Sequence, residues 1–192
     1  VGPGNLAILG ARKGVGKTAV LVHLATDKLF QGKHVIHVSF SANTQHIIDW
    51  YEDIFNEISK RYALESAMKV HDEIIKNRVI MNFNQEGITV SQIINSLNSM
   101  IKEGCFSADL VVVDGYDFYK AKQEDMALFK AFAQKKGIEI WFSVSLHKEE
   151  VDVASENMPV VLNPFMEYLS IVILLKPKNG YIHLELRKDH DR

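Results

Sequence analysis

The sequence predicts an α/β fold: a three-layer sandwich on a mainly parallel sheet, with an antiparallel hairpin at its C-terminal edge. Three observations predict it. Short apolar runs alternate with segments of helical period, the order that a parallel sheet covered on both faces requires. The runs around Val111 and Ile173 are apolar without a break, as strands buried on both sides are. Asn179-Gly180 separates two β-rich segments and is a strong signal for a two-residue hairpin turn.

The elements follow in order. Asn5–Leu9 is a short apolar strand that runs into a glycine-rich loop. A helix from Thr18 to Gln31 follows, stopped by Gly32. His34–Phe40 is the second strand. Thr44–Tyr62 is a helix, because Ile47, Tyr51, Ile54 and Ile58 recur at steps of four, three and four, with Ile48, Phe55 and Tyr62 widening the same face. Glu65–Lys76 is a further helix and Arg78–Phe83 the third strand. Thr89 and Gln92 fit a capping box that opens a helix carrying Ile93, Ile94, Leu97, Met100 and Ile101, closed at Gly104. Asp109–Asp114 is the fourth strand, Gln123–Lys136 a helix ended by Gly137, and Ile138–Leu146 the fifth strand. Asn157–Pro164 reads as irregular. Ile171–Lys176 and Tyr181–Arg187 flank the hairpin turn, and in the second of them Ile182, Leu184 and Leu186 alternate with His183, Glu185 and Arg187.

The 192 residues suit one domain over 1–192 with one sizeable core, and no repeat, low-complexity tract or linker divides them. A hydrophobic share of 47% and a charged share of 24% are ordinary for a globular protein. A net charge of −2 disfavours nucleic acid and anionic membranes as partners. The single cysteine, Cys105, excludes an internal disulfide and points to a reducing, cytoplasmic compartment; it is expected as a small buried or half-buried side chain. No apolar run approaches the roughly 20 residues that span a bilayer, and the start lacks the pattern of a signal peptide. With Val1 in place of a start methionine, the chain is expected to be a trimmed piece.

Gly10-Ala11-Arg12-Lys13-Gly14-Val15-Gly16-Lys17-Thr18 carries the chemistry. It matches the phosphate-loop pattern with Ala11 for the usual first glycine. Gly14 and Gly16 let the backbone curl so that its N–H groups point into a concavity fitting a β-phosphate. The helix that follows adds its positive N-terminal end. Lys17 is the cation for the β- and γ-phosphates, and the Thr18 hydroxyl is placed to ligate Mg²⁺. The motif sits where this mechanism demands, between an apolar strand and an amphipathic helix.

Leu110–Asp114 is an apolar strand ending in a carboxylate, the Walker-B arrangement, so Asp114 is the second expected Mg²⁺ contact. Asp117 is its backup, with a solvated turn as the plainer reading. Ser143 and Ser145, at the end of the next strand, are candidate sensors of the γ-phosphate, with bonding to local backbone equally open. His147 reads as an exposed loop residue, and the histidines show no metal-ligand spacing. Lys17 and Asp114 are the candidate catalytic groups.

In pattern and order the chain resembles the RecA-like ATPases, nearest to the KaiC-type branch and to the replicative-helicase ATPase core. The resemblance covers the Gly10–Thr18 loop, Val38–Ile48 after the second strand, the Asp109–Asp114 and Ile138–His147 strands, and the tail Leu184–His190. It implies ATP with Mg²⁺ as ligand and a homo-oligomer as the assembly. It also implies a sheet in which the Ile138–Leu146 strand lies between the phosphate-loop and Walker-B strands. Arg187 and Lys188 match the cationic fingers that the family extends across subunit interfaces, with a solvated edge-strand pair as the alternative. One departure bears on function. The family ends its second strand with a glutamate that polarises the attacking water, and Ser41 and Ala42 follow Phe40 here. Glu52 and Asp53 lie over two helical turns further on. A general base contributes about 10²–10⁴-fold, so the expectation is nucleotide binding with weak or absent hydrolysis, acting as a regulatory or assembly switch. An active motor or remodelling ATPase and a positioning ATPase of the ParA/MinD type remain as alternatives, the latter because Arg12-Lys13-Gly14 approaches its early-lysine loop one residue out of register. No guanine-reading motif appears, and ATP over GTP rests on the resemblance.

Overall fold

The computed structural model describes residues 1–41, 43–62, 67–84, 86–148, 150 and 158–190. Seven strands form one sheet: β1 (Leu6–Arg12), β2 (Val35–Ser39), β3 (Arg78–Asn82), β4 (Leu110–Asp114), β5 (Glu139–Leu146), β6 (Leu169–Lys178) and β7 (Tyr181–Asp189). Their spatial order is β3-β2-β4-β5-β1-β6-β7. Every neighbouring pair is parallel except β6 and β7. β5 lies between β1 and β4, as the resemblance implies.

The helices are α1 (Lys17–Phe30), α2 (Gln45–Arg61), α3 (Ala67–Lys76), α4 (Val90–Lys102) and α5 (Gln123–Lys136). Two apolar clusters, one on each face of the sheet, record the layering. Leu21, Val22, Ala25 and Leu29 of α1, with Ile47, Tyr51, Ile54 and Phe55 of α2 and Ile74 of α3, pack on Ala7, Leu9, Val35 and Val112. Ile93 and Leu97 of α4, with Met126, Phe129 and Phe132 of α5, pack on Leu6, Ile8, Ile36, Val111 and Val113. Adjacent strand residues thus serve opposite cores, which explains why β1, β2 and β4 are so largely apolar.

Local chemistry sets the ends. Thr89 accepts from the Gln92 backbone N–H while the Gln92 side chain accepts from the Thr89 N–H, the expected capping box. α5 ends at Gly137 with a φ of 64°. Asn179 and Gly180 both have positive φ, 52° and 79°, as a two-residue hairpin turn of the favoured hand needs.

Several expectations shift. β1 runs three residues past Leu9, because Gly10, Ala11 and Arg12 keep their ladder to β5. Within 157–164, expected to be irregular, Val160–Phe165 is a short 3₁₀-helix that buries Leu162 and Phe165 in the core; residue 157 lies outside the described residues. So do Glu65 and Ser66, at the expected start of α3. Cys105 is exposed in the turn after α4, with a φ of 49°. The apolar side of β7 is also open: Ile182, Leu184 and Leu186 are exposed. Among the described residues no helix is long and apolar enough to cross a membrane.

The capping box has a direct test. Thr89→Ala removes one reciprocal pair and is expected to cost about 1 kcal/mol, lowering Tm by about 2–4 °C in a thermal melt.

Candidate functional site

In a parallel sheet all the strands end at the same edge. The ends of β1, β5, β4 and β2 therefore line up side by side, and a cavity of about 680 Å³ opens there. Lys13, Gly14, Gly16, Lys17, Thr18 and Ala19 line it from the loop after β1 and the start of α1. Asp114 and Gly115 line it from β4, Ser143 and Ser145 from β5, Phe40 and Ser41 from the end of β2, and His46 and Trp50 from α2.

The loop has the backbone that the sequence requires. Gly14 and Gly16 hold φ at 84° and 101°, values that L side chains rarely adopt. Gly16 is the N-cap of α1, so the first free N–H groups of that helix open beside the loop. Gly10 serves a different need: a Cβ there would come within 2.8 Å of the Leu174 side chain on β6. Ala11 is buried inside β1, and Arg12 is exposed at its end. Lys17 is 8% exposed. Its ammonium donates to the carbonyl oxygens of Ala11 at 3.3 Å and Arg12 at 3.1 Å, and so stays inside the loop. Burial holds its pKa below the ordinary lysine value, and the Asp114 carboxylate pulls the other way.

Asp114 joins the elements. It is 9% exposed. The Thr18 hydroxyl donates to one of its oxygens at 2.7 Å and the Ser143 hydroxyl to the other at 2.5 Å. Ser143 in turn accepts from the Gly115 N–H at 2.8 Å. Thr18 and Asp114, distant in sequence, thus stand as two hard oxygen donors in contact beside the glycine-rich loop. Among the described residues no group of three His, Cys, Asp or Glu is arranged to hold a metal. The Thr18–Asp114 donor set suits Mg²⁺, which takes one or two protein oxygens and fills its shell with phosphate and water; bound there, it would supply charge neutralisation for the phosphates.

The other expected residues are placed apart. Asp117 lines a neighbouring cavity of about 850 Å³ and pairs with Lys120 at 3.5 Å. Glu52 pairs with His71 at 2.6 Å, and neither Glu52 nor Asp53 lines the loop cavity. His147 packs its ring on Tyr119, away from that cavity. Arg187 pairs with Glu185 at 2.5 Å, and Lys188 donates to the Met166 carbonyl at 2.6 Å, both on β7. Ser41 lines the cavity; Ala42 lies outside the described residues. Asp114 is the one carboxylate lining the cavity among the described residues.

His46 and Trp50 line the cavity without having been singled out for chemistry, although His46 falls within the Val38–Ile48 stretch. They sit one position off the apolar stripe of α2, where helical period predicts solvent. The signal for them is their i, i+4 spacing just after the second strand.

The same strand ends connect to a buried polar network. His37 is fully buried on β2. Its Nδ1 lies 3.0 Å from the Tyr51 hydroxyl, and its Nε2 has no partner among the described residues. The Arg78 guanidinium stands 4.3 Å over the Tyr51 ring.

The structure is similar to a solved ATPase domain, with a TM-score of 0.69 over 100% of this chain and 79% of that one. The fold is RecA-like. At 15% sequence identity the likeness is one of fold. No known family's sequence profile matches the chain, and no curated protein does.

His37 yields a pH prediction. Burial holds its imidazole down at about 4; Asp114 pulls it up and Arg78 pushes it further down. The unfolded chain takes up this proton near pH 6.5, well before the folded one does. Stability from this group is therefore complete above about 6.5 and falls as the pH drops towards 4. Urea unfolding at pH 7 and pH 4.5 should show a loss of up to about 3 kcal/mol, most of it abolished in His37→Gln.

Proposed function

We propose that residues 1–192 form a single RecA-like domain that binds ATP with Mg²⁺ and hydrolyses it weakly or not at all, serving as a nucleotide-dependent regulatory or assembly switch. The observation that carries this reading is the cavity itself. The loop with two left-handed glycines, the buried Lys17 and the Thr18–Asp114 pair meet at one sheet edge, while no second carboxylate lines the cavity among the described residues.

The roles follow from the chemistry. Residues Gly10–Thr18 cradle the phosphates. Lys17 gives up its two carbonyl partners for the β- and γ-phosphates. Thr18 and Asp114 hold the magnesium, directly or through its water shell. Ser143 steadies Asp114 and, with Ser145, senses the terminal phosphate. Arg187 and Lys188, on the open edge, face a second copy in a homo-oligomer, where Arg187 would exchange Glu185 for a neighbour's nucleotide. Phosphoryl transfer needs a positioned water as well as charge neutralisation, and Ser41 at the end of β2 offers a hydroxyl and no base. Binding then orders the loops after β2 and β4, and the free energy of binding biases an interface instead of driving turnover.

A second reading is an active motor or remodelling ATPase whose base comes from an unrecognised residue or a neighbouring subunit; the observation that supports it is the likeness in fold to a solved ATPase domain.

Thermal melts with and without nucleotide and Mg²⁺ decide the first step. An ATP analogue at 100 times its Kd is expected to add about 2.7 kcal/mol, or about 5–10 °C. Lys17→Ala should abolish the gain, and Asp114→Ala should abolish its dependence on Mg²⁺. The absence of any shift with any nucleotide would defeat the proposal. Many turnovers of ATP by the wild type, lost in Lys17→Ala, would establish the second reading.

A further inference from the structure

The sheet order gives the cavity a direction. The phosphate loop hangs from β1, Asp114 stands two strands away on β4, and Phe40 and Ser41 stand one strand further on, after β2. Ser39 and Asp114 are register partners, so the start of α2 lies beyond Asp114 as seen from the loop. A polyphosphate with its β-phosphate in the loop would have Asp114 and that wall within the same cavity for its terminal phosphoryl group. His46 and Trp50 line the wall.

The two side chains are fixed relative to each other. Trp50 Nε1–H donates to His46 Nε2 at 3.2 Å. The ring centroids are 6.0 Å apart and the planes cross at 68°. An indole nitrogen only donates, so the His46 Nε2 must present its lone pair, and the proton of the neutral ring is on Nδ1. In this tautomer the ring has one N–H left to offer and no spare lone pair. The free N–H is a donor that suits an anion.

We infer that His46, set in its donor tautomer by Trp50, hydrogen-bonds the terminal phosphoryl group of the bound nucleotide and selects triphosphate over diphosphate. The inference rests on the nucleotide site proposed above and deepens it. His46 lies in the first turn of α2, on the wall of the cavity, and its part there is recognition of the γ-phosphate. Because α2 also carries Tyr51, which packs on the sheet beside His37, the contact ties the occupancy of the site to the seating of that helix. An i, i+4 pair on an ordinary helix surface has no such reach and is indifferent to which nucleotide is bound.

Calorimetric titration of the full chain with Mg²⁺ and either ADP or the imido analogue of ATP tests this. Wild type is expected to bind the analogue more tightly. His46→Ala should weaken the analogue about tenfold, the effect of losing one charge-assisted hydrogen bond, and leave ADP within about twofold of wild type. His46→Asn, whose amide N–H occupies the place of Nδ1, should keep most of the preference. The chain has two tryptophans, Trp50 and the buried Trp141. The analogue and not ADP should therefore change the emission, and Trp50→Phe should remove that change. If wild type binds and the ratio of analogue to ADP affinity is the same in His46→Ala, the inference falls and the nucleotide site stands. If wild type binds neither ligand, both fall together.

Discussion

The Asp114 carboxylate is the constraint on which the site depends. Taking a carboxylate out of water is costly unless donors surround it, and here the Thr18 and Ser143 hydroxyls each donate to one oxygen. Those two bonds join the end of β4 to the start of α1 and the end of β5. The Gly115 N–H, bonded to Ser143, extends the tie into the next loop. The floor of the cavity is therefore a set of polar contacts that ties three elements together. The ammonium of Lys17 is held in the same way, resting on two carbonyl oxygens of its own loop.

This arrangement needs the sheet behind it. A parallel register sends β1, β5, β4 and β2 out at one edge, and largely apolar strands let helices cover both faces and hold the edge rigid. β2 carries two polar exceptions inside the sheet: His37 and Ser39 are both fully buried. His37 reaches Tyr51 on α2, and Arg78 of β3 covers the same ring, so the strand that ends at the cavity is also tied to the helix that forms its far wall. The outer strands are different. On β7 the exposed Ile182, Leu184 and Leu186 leave an apolar row uncovered in the isolated chain.

Much of this is legible in the chain alone, for identifiable reasons. Glycines at positions 14 and 16, followed by Lys17 and Thr18, announce a backbone that other residues rarely adopt, and both glycines have left-handed φ. The Thr89–Gln92 box and the Asn179-Gly180 turn are equally local devices, each decided within four residues, and both form. β1 outruns its apolar stretch because a strand ends where its ladder partners end, and those belong to β5 and β6. The 3₁₀-helix at Val160–Phe165 has no helical period to announce it; a Pro-containing segment takes that shape by burying Leu162 and Phe165. Cys105 departs from the usual burial of cysteine because it sits in a left-handed turn after α4.

Local sequence suffices for the class of fold, the order of strands and helices, the left-handed glycine loop and the strand ending in Asp114, because each is encoded by period, turn chemistry or spacing over a few residues. Folding alone settles which of those residues meet. It brings Thr18 to Asp114 and makes Ser143 a bridge instead of a lone strand-end hydroxyl. It keeps Asp117, Glu52 and Asp53 out of the cavity and places His46 and Trp50 within it. The physical reason is that hydrogen bonds across a sheet edge depend on strand order and register, and these arise from burial of both faces of the whole sheet, not from any segment of the chain read alone.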